Sequence, residues 1–399
     1  MPTIDSVDNR RAAFDHQLAF PELRRLRPET LMFTSEPSLA QRIERMIGDV
    51  PIVDTRSNIQ ADRPAAPDLA ALLDATPVRD ALGAVGMPIG ATDPARSAED
   101  RVASALPFLR QIRNTSAAWC LFRIFRDLYD FDEPHLALDN VPGLMDRVAR
   151  SANDPDWPRH VLRDRCEITT LVAPSLVDQP DPIESLSDMI VHRLDIVAGN
   201  PVEGSDRVRT GVFDELDLNL EGRVRFAAFP DLPDLDHPVH AAVLEWHDLH
   251  HWPLQVVLDQ HSPSANLPDR VESMVLRYPQ ARFGLMAGST EIGSKVSTLA
   301  GRLPNVFAEG FCGLGASPGA IEQNVVARIG QVGSTKIGGF ASGAATAEWV
   351  YGSLQATKKA TASALARAVS GGFFEEDELP PLIRALFSTS PLDWYRLKD

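Results

Sequence analysis

The chain has 399 residues, 44% hydrophobic and 24% charged, which supplies an ordinary globular core and excludes a chain ruled by disorder. Its formal net charge of −16 makes a surface that repels phosphate backbones, so nucleic acid is not expected as a partner. No apolar run of about 18 residues occurs, so no membrane span is expected.

The first residues, 1–25, mix Asp, Arg and short apolar stretches without a continuous apolar core, so no secretory leader is expected. Cys120, Cys166 and Cys312 are scattered and odd in number, which fits neither a disulfide framework nor a CxxC metal site and suits a reducing cytoplasm. Residues 1–48 are expected to form an N-terminal helical segment ahead of one domain over 49–399. The run 49–54 reads as a short buried strand. Residues 60–163 then read as mostly helical, with Leu109, Ile112, Trp119, Phe122 and Phe125 at helical spacing inside 106–129. That stretch is too long for an ordinary loop and is expected to be an insertion after the first strand.

Strands are expected next at 167–172, 224–229, 254–258, 282–286, 305–308 and 336–340. Helical patterns at 269–278 and 320–329 lie between the later ones. A long helix over 347–368 is stopped by Gly371-Gly372. Regular alternation of strand and helix implies a parallel sheet, which a barrel and an open doubly wound sheet satisfy equally. No GxGxxG opens a βα unit and no GxxxxGK[ST] occurs, so no nucleotide cofactor, and no other cofactor, is expected.

Several short motifs choose between the two sheets by resemblance. Pro51-Ile52-Val53-Asp54-Thr55-Arg56-Ser57-Asn58 resembles a first strand that ends Asp-x-His-x-His. Tyr278-Pro279-Gln280-Ala281-Arg282-Phe283, Leu303-Pro304-Asn305-Val306-Phe307 and Lys336-Ile337-Gly338-Gly339-Phe340-Ala341-Ser342-Gly343 resemble the approaches to the sixth, seventh and eighth strands. Glu348, Tyr351-Gly352 and the closing Pro391-Leu392-Asp393-Trp394-Tyr395 follow with matching spacing. In this order the motifs resemble the amidohydrolase superfamily, in particular the uronate isomerases. The resemblance implies a distorted (β/α)8 TIM barrel with a helical insertion after the first strand.

It also implies a divalent metal held by imidazoles and a carboxylate at the strand ends, and there the chain departs from the family. The first-strand pair falls on Arg56 and Asn58, the fifth-strand imidazole on Val257, the sixth on Ala287 and the eighth-strand aspartate on Gly343. A guanidinium repels a cation, and the others are poor or impossible ligands. No metal is therefore expected. His247 and His251 have the i, i+4 spacing of a helical metal pair, but Pro253 follows closely and no HExxH frames them, so several imidazoles on a surface loop are the plainer reading.

The remaining candidates each have a functional and a structural reading. Arg56 can grip a substrate carboxylate or phosphate, or pair with Asp54 or another barrel carboxylate. Asn58 can donate to a substrate carbonyl or cap a helix. Asp259 and His261, after the fifth strand, can be a general acid/base pair or solvated loop residues. Ser289, Thr290, Glu291, Glu309, Cys312 and Ser342 can line the pocket, cap helices or pack. The function expected is a metal-independent enzyme acting on a small, anionic, carboxylate-bearing metabolite by proton transfer, of isomerase, lyase or hydrolase type. The alternative is a pseudoenzyme serving as a structural or regulatory partner, paired with a metal-bearing paralogue. A homo-oligomer, or that pairing, is expected.

Overall fold

The computed structural model describes residues 37–397 apart from 61, 176–185, 187, 197–204, 221–223, 259–266 and 312–316. Seven strands, β1 (Ile52–Asp54), β2 (Ile168–Pro174), β3 (Ile190–Asp195), β4 (Val224–Phe229), β5 (Pro253–Leu258), β6 (Arg282–Ala287) and β7 (Val306–Glu309), form one parallel sheet in sequence order. Helices connect the later strands and cover the outer face, so most strands are buried on both sides and read as near-continuous apolar runs. Pro253 opens β5, where a missing N–H costs the ladder least. The strand that the sequence pattern does not reveal is β3, because His192, Arg193 and Asp195 interrupt its apolar residues.

Residues 337–344 join the two ends of the sheet. Gly338 N donates to Ala308 O of β7, while Thr55 N donates to Phe340 O and Gly343 N to Arg56 O on the β1 side. The sheet thus curls into a TIM-like barrel. This segment was expected as a regular strand at 336–340, yet it makes only a single bridge, Ile337 to Ala308, after a 3-10 turn at Ser334–Lys336. Close approach explains the irregularity: a Cβ on Gly338 would lie 2.8 Å from Phe307, and one on Gly339 3.2 Å from both the Leu386 carbonyl and Phe387.

Between β1 and β2 the chain is helical. The helical spacing read over 106–129 falls on two helices, Ala98–Leu109 and Ser116–Tyr129, the second capped by Thr115. One buried side chain ties this stretch to the barrel's long helix Ala347–Ser370. Glu348 accepts from Ala66 N at 3.1 Å, Tyr129 Oη at 3.0 Å and Trp157 Nε1 at 2.9 Å. Gly352, one turn on, leaves room for Ile124 and Cys120, which a Cβ would meet at 2.9 and 3.3 Å.

The barrel interior has an aromatic floor. Val172, Phe226, Phe307, Trp394 and Tyr395 form a cluster separate from the main core. Tyr395 stacks on Phe226 with ring centroids 4.3 Å apart, and Trp394 on Phe307 at 5.1 Å. The closing segment of the chain therefore plugs the barrel from below. Gly284 of β6 makes this possible, since a Cβ there would lie 1.7 Å from the Tyr395 hydroxyl.

Candidate functional site

Above the floor the inward side chains become polar and charged, and they lie at the carboxyl ends of the strands, where barrels place their sites. Arg193 of β3 is fully buried and fully engaged. Its Nε and Nη2 hold the two oxygens of Asp195 at 2.9 and 3.1 Å, Nη1 donates to Ser57 O at 2.6 Å, and Nη2 also donates to Asn58 Oδ1 at 3.0 Å. Arg56 reaches across the barrel from the end of β1. Its Nη1 donates to Gln255 Oε1 of β5 at 2.5 Å and lies 3.8 Å from Asp195 Oδ1. Gln255 Nε2 donates to Thr55 O at 3.0 Å and to Glu309 Oε1 of β7 at 2.6 Å, and the Tyr395 hydroxyl donates to Glu309 Oε2.

A chain of contacts thus runs from the floor, through Glu309 and Gln255, to Arg56 at the mouth. Arg56 is 8% exposed. Among the described residues, its Nε and Nη2 find no hydrogen-bond partner. Burial, seconded by the charge of Arg193, pulls its pKa down to about 10, and Asp195 and Glu309 oppose the shift. A guanidinium with an uncommitted edge in so desolvated a place is suited to an anion that brings its own two oxygens.

The carboxylates divide into two kinds. Asp54 and Glu309 are completely buried, and burial raises both above the usual carboxylate range. Asp54 is partly compensated by the Ser342 hydroxyl at 2.5 Å and the backbone N–H groups of Ser342 at 2.9 Å and Arg56 at 3.2 Å. Glu309 is partly compensated by Thr55, Tyr395, Arg56 and Gln255. Asp195, by contrast, keeps 26% of its side chain exposed.

The structure brings some of the sequence candidates together. Arg56, Asn58 and Ser342 all belong to this cluster, but in particular postures. The Arg56 side chain does not pair with Asp54, which instead accepts from the Arg56 backbone. Asn58 caps no helix; it accepts from Arg193 and donates to Gly343 O at 3.0 Å. The Ser342 hydroxyl is buried against Asp54. Asp259, His261 and Cys312 lie outside the described residues. Ser289 is the N-cap of the helix Thr290–Arg302.

Ala287 pairs with Leu258, and both belong to the outer apolar core, so the inward residue near the end of β6 is Met286. His247 is on no surface loop: it lies on the helix Pro238–His250, fully buried, with Nδ1 2.8 Å from Val243 O and its pKa lowered to about 4 by burial. The thiols of Cys120 and Cys166 are buried and pushed up to about 12, which makes them inert. Sequence reading missed Arg193, Asp195, Gln255 and Tyr395 as members of the cluster. The one available signal was the Arg-x-Asp pair at 193–195, which follows Ile190-Val191-His192.

The fold defined by these elements is a TIM-like α/β barrel, and solved structures of that shape are known. The chain superimposes on a uronate isomerase from Bacillus halodurans C-125 with TM-score 0.71 at 14% identity, covering 90% of this chain and 97% of that one. A uronate isomerase from Thermotoga maritima matches with TM-score 0.72 at 11% identity, covering 90% and 97%. A glucuronate isomerase from Caulobacter crescentus matches with TM-score 0.72 at 15% identity, covering 93% and 97%. At these identities the likeness establishes the fold alone. No family model matches the chain by sequence, and neither does any curated protein.

The metal implied by the sequence resemblance does not fit the residues present. Arg56 places a fixed positive charge where the first imidazole would stand, held there by Gln255. The Asn58 amide is occupied at both ends, Val257 and Met286 are apolar, and Gly343 has no side chain. The nearby carboxylates are already engaged: Asp195 by Arg193, Asp54 by Ser342 and Glu309 by Tyr395 and Gln255. Among the described residues no group of three or more His, Cys, Asp or Glu side chains is arranged to hold a metal ion.

Proposed function

We propose that the chain is a degenerate, uronate isomerase-like member of the amidohydrolase superfamily that works without a metal. It acts on a small carboxylate-bearing metabolite by proton transfer. In this reading the helical stretch at 60–163 is an insertion into a distorted (β/α)8 barrel. The supporting observation is Arg56: buried, aimed across the barrel by Gln255, and, among the described residues, with Nε and Nη2 uncommitted. A carboxylate on that edge gains a charge-assisted, two-point contact at a desolvated site. Asp259 and His261, in the connection after β5, are proposed to contribute an acid or base.

Titration calorimetry with a panel of sugar acids, hydroxy acids and oxo acids tests the reading. At least one member should bind, with no change in affinity after a chelator treatment. Arg56→Gln should weaken that binding by about 10- to 100-fold, the worth of a charged hydrogen bond. Chelator-sensitive binding, or unchanged affinity in Arg56→Gln, overturns it. One observation favours the alternative of a catalytically inert partner protein: Asp54 and Ser342 turn their polar atoms on each other, and Glu309 turns its own on Tyr395 and Gln255, as a barrel retained only for its shape would do. A panel in which nothing binds selects that alternative.

A further inference from the structure

Of the carboxylates in the barrel centre, Asp195 differs in having access to the mouth. Asp54 and Glu309 are sealed, while Asp195 stands at the carboxyl end of β3 with a quarter of its side chain exposed. Both of its oxygens are steered by the Arg193 fork, and Oδ1 lies 3.8 Å from Arg56 Nη1. We infer that Asp195 is the base that takes the carbon-bound proton, with any further acid or base from Asp259 and His261 acting elsewhere on the substrate, and that this substrate is a short 2-oxo acid enolised next to the carboxylate that Arg56 holds. The inference rests on the reading of Arg56 as the carboxylate anchor.

Two features set the substrate class. Asp195 is a near neighbour of Arg56, so the proton it takes must lie within a few bonds of the bound carboxylate. A carbonyl at the far end of a six-carbon sugar acid would place its acidic C–H out of reach. In addition, abstraction of a proton from carbon by a carboxylate side chain is a demanding step. It therefore needs a carbon acid that is already activated by an adjacent ketone.

In the step itself an Asp195 oxygen takes a proton from C3 of the 2-oxo acid. The C3–H electron pair becomes the C2=C3 bond, and the C2=O pair moves onto oxygen as an enolate. Arg56, beside the carboxylate, stabilises the added negative charge. Return of the proton from Asp195 to C3 restores the acid, and no oxidant or co-reactant is consumed.

Deuterium uptake in D2O, followed by loss of the C3 proton signal of 2-oxobutanoate by NMR, reads this step directly. Wild-type protein should speed the exchange above the buffer rate. Asp195→Asn should slow it by about a hundredfold at saturating ligand, with affinity changed by less than about threefold. Circular dichroism checks the fold of that variant. Should it fail to fold, Asp195→Glu, which keeps the charge and moves the oxygens, should slow the exchange about tenfold.

Binding of 2-oxobutanoate without accelerated exchange, or wild-type exchange in Asp195→Asn, overturns the role of Asp195. Binding of some other carboxylate but not of 2-oxobutanoate overturns the substrate class and leaves the Arg56 anchor standing. Absence of any carboxylate binding removes both.

Discussion

The two ends of the barrel interior are held together by different physics. At the floor, Phe226, Phe307, Trp394 and Tyr395 fit against Val172 and the bare backbone of Gly284, and what matters there is shape. At the mouth, Arg193 pairs with Asp195 and Asn58, and Arg56 is held by Gln255 close to Asp195, so what matters is the pairing of charges and hydrogen bonds. Glu309 and Gln255 join the two. A floor side chain is replaceable by another of the same volume, whereas a mouth side chain removed alone leaves its partners uncompensated.

The largest effect is therefore expected at Arg193. Arg193→Met keeps most of the volume but leaves Asp195, Asn58 and the Ser57 carbonyl without the buried partner they share. Chemical denaturation should show a loss of about 3–5 kcal/mol, the usual cost of breaking a buried ion pair from one side. The partner substitution Asp195→Leu, made together with Arg193→Met, should recover a large part of that loss. A loss below about 1 kcal/mol for the single variant would mean that the mouth is not held by pairing.

How much of this was legible in the sequence follows from the same contrast. The outer apolar layers repeat with strand and helix periodicity, so β2, β4, β5, β6 and the helices at 267–277 and 318–329 lie where the pattern puts them. The mouth follows no period. Arg193 and Asp195 break the apolar signal of their own strand, and Gln255 hides inside the apolar run of β5. Arg56 was legible because a motif position drew attention to it. Its real partner across the barrel was not, since Arg56 and Gln255 are 199 residues apart. Tyr395 was read only as part of a closing motif, because nothing local says that the end of the chain enters the barrel.

At the floor, Gly284→Ala should cost about 1–3 kcal/mol, the range for overpacking a filled core. The added methyl would collide with the Tyr395 hydroxyl at 1.7 Å. Shape makes a further demand: Tyr395→Phe in the Gly284→Ala background should be less harmful than in the wild type, because it removes the nearest of the colliding atoms and leaves the ring carbon at 2.7 Å. Thermal unfolding of the four proteins gives the coupling. Strictly additive losses would contradict the proposed contact.

The link between the two ends is tested by pH. Burial raises Glu309 above its ordinary pKa, so the folded protein holds a proton there more tightly than the unfolded chain does. The stability this contributes is fully present below the unfolded carboxylate value of 4.5 and is lost as pH rises through the folded value. Glu309→Gln cannot titrate. The stability of wild type relative to Glu309→Gln should therefore decline as pH rises from 4 toward neutrality. Tyr395→Phe removes a donor that lowers the Glu309 pKa, so it should move the decline to higher pH and cost about 1 kcal/mol at neutral pH. A flat difference between wild type and Glu309→Gln would show that Glu309 keeps the same charge in both states.

The smallest effect belongs to an arginine that pairs outside the barrel. Arg42 makes a bidentate contact with Glu376, with Nη2 2.9 Å from both carboxylate oxygens, a geometry as good as that of Arg193 with Asp195. Its side chain is 39% exposed and that of Glu376 45%, whereas the Arg193 side chain is 0% exposed. Water competes for both partners of the outer pair, and salt screens them. Arg42→Ala should therefore cost less than about 1 kcal/mol, and the loss should shrink further in 1 M salt. The cost of Arg193→Met should stay nearly constant over the same salt range. If both variants responded to salt alike, desolvation would not be what separates the mouth from the surface.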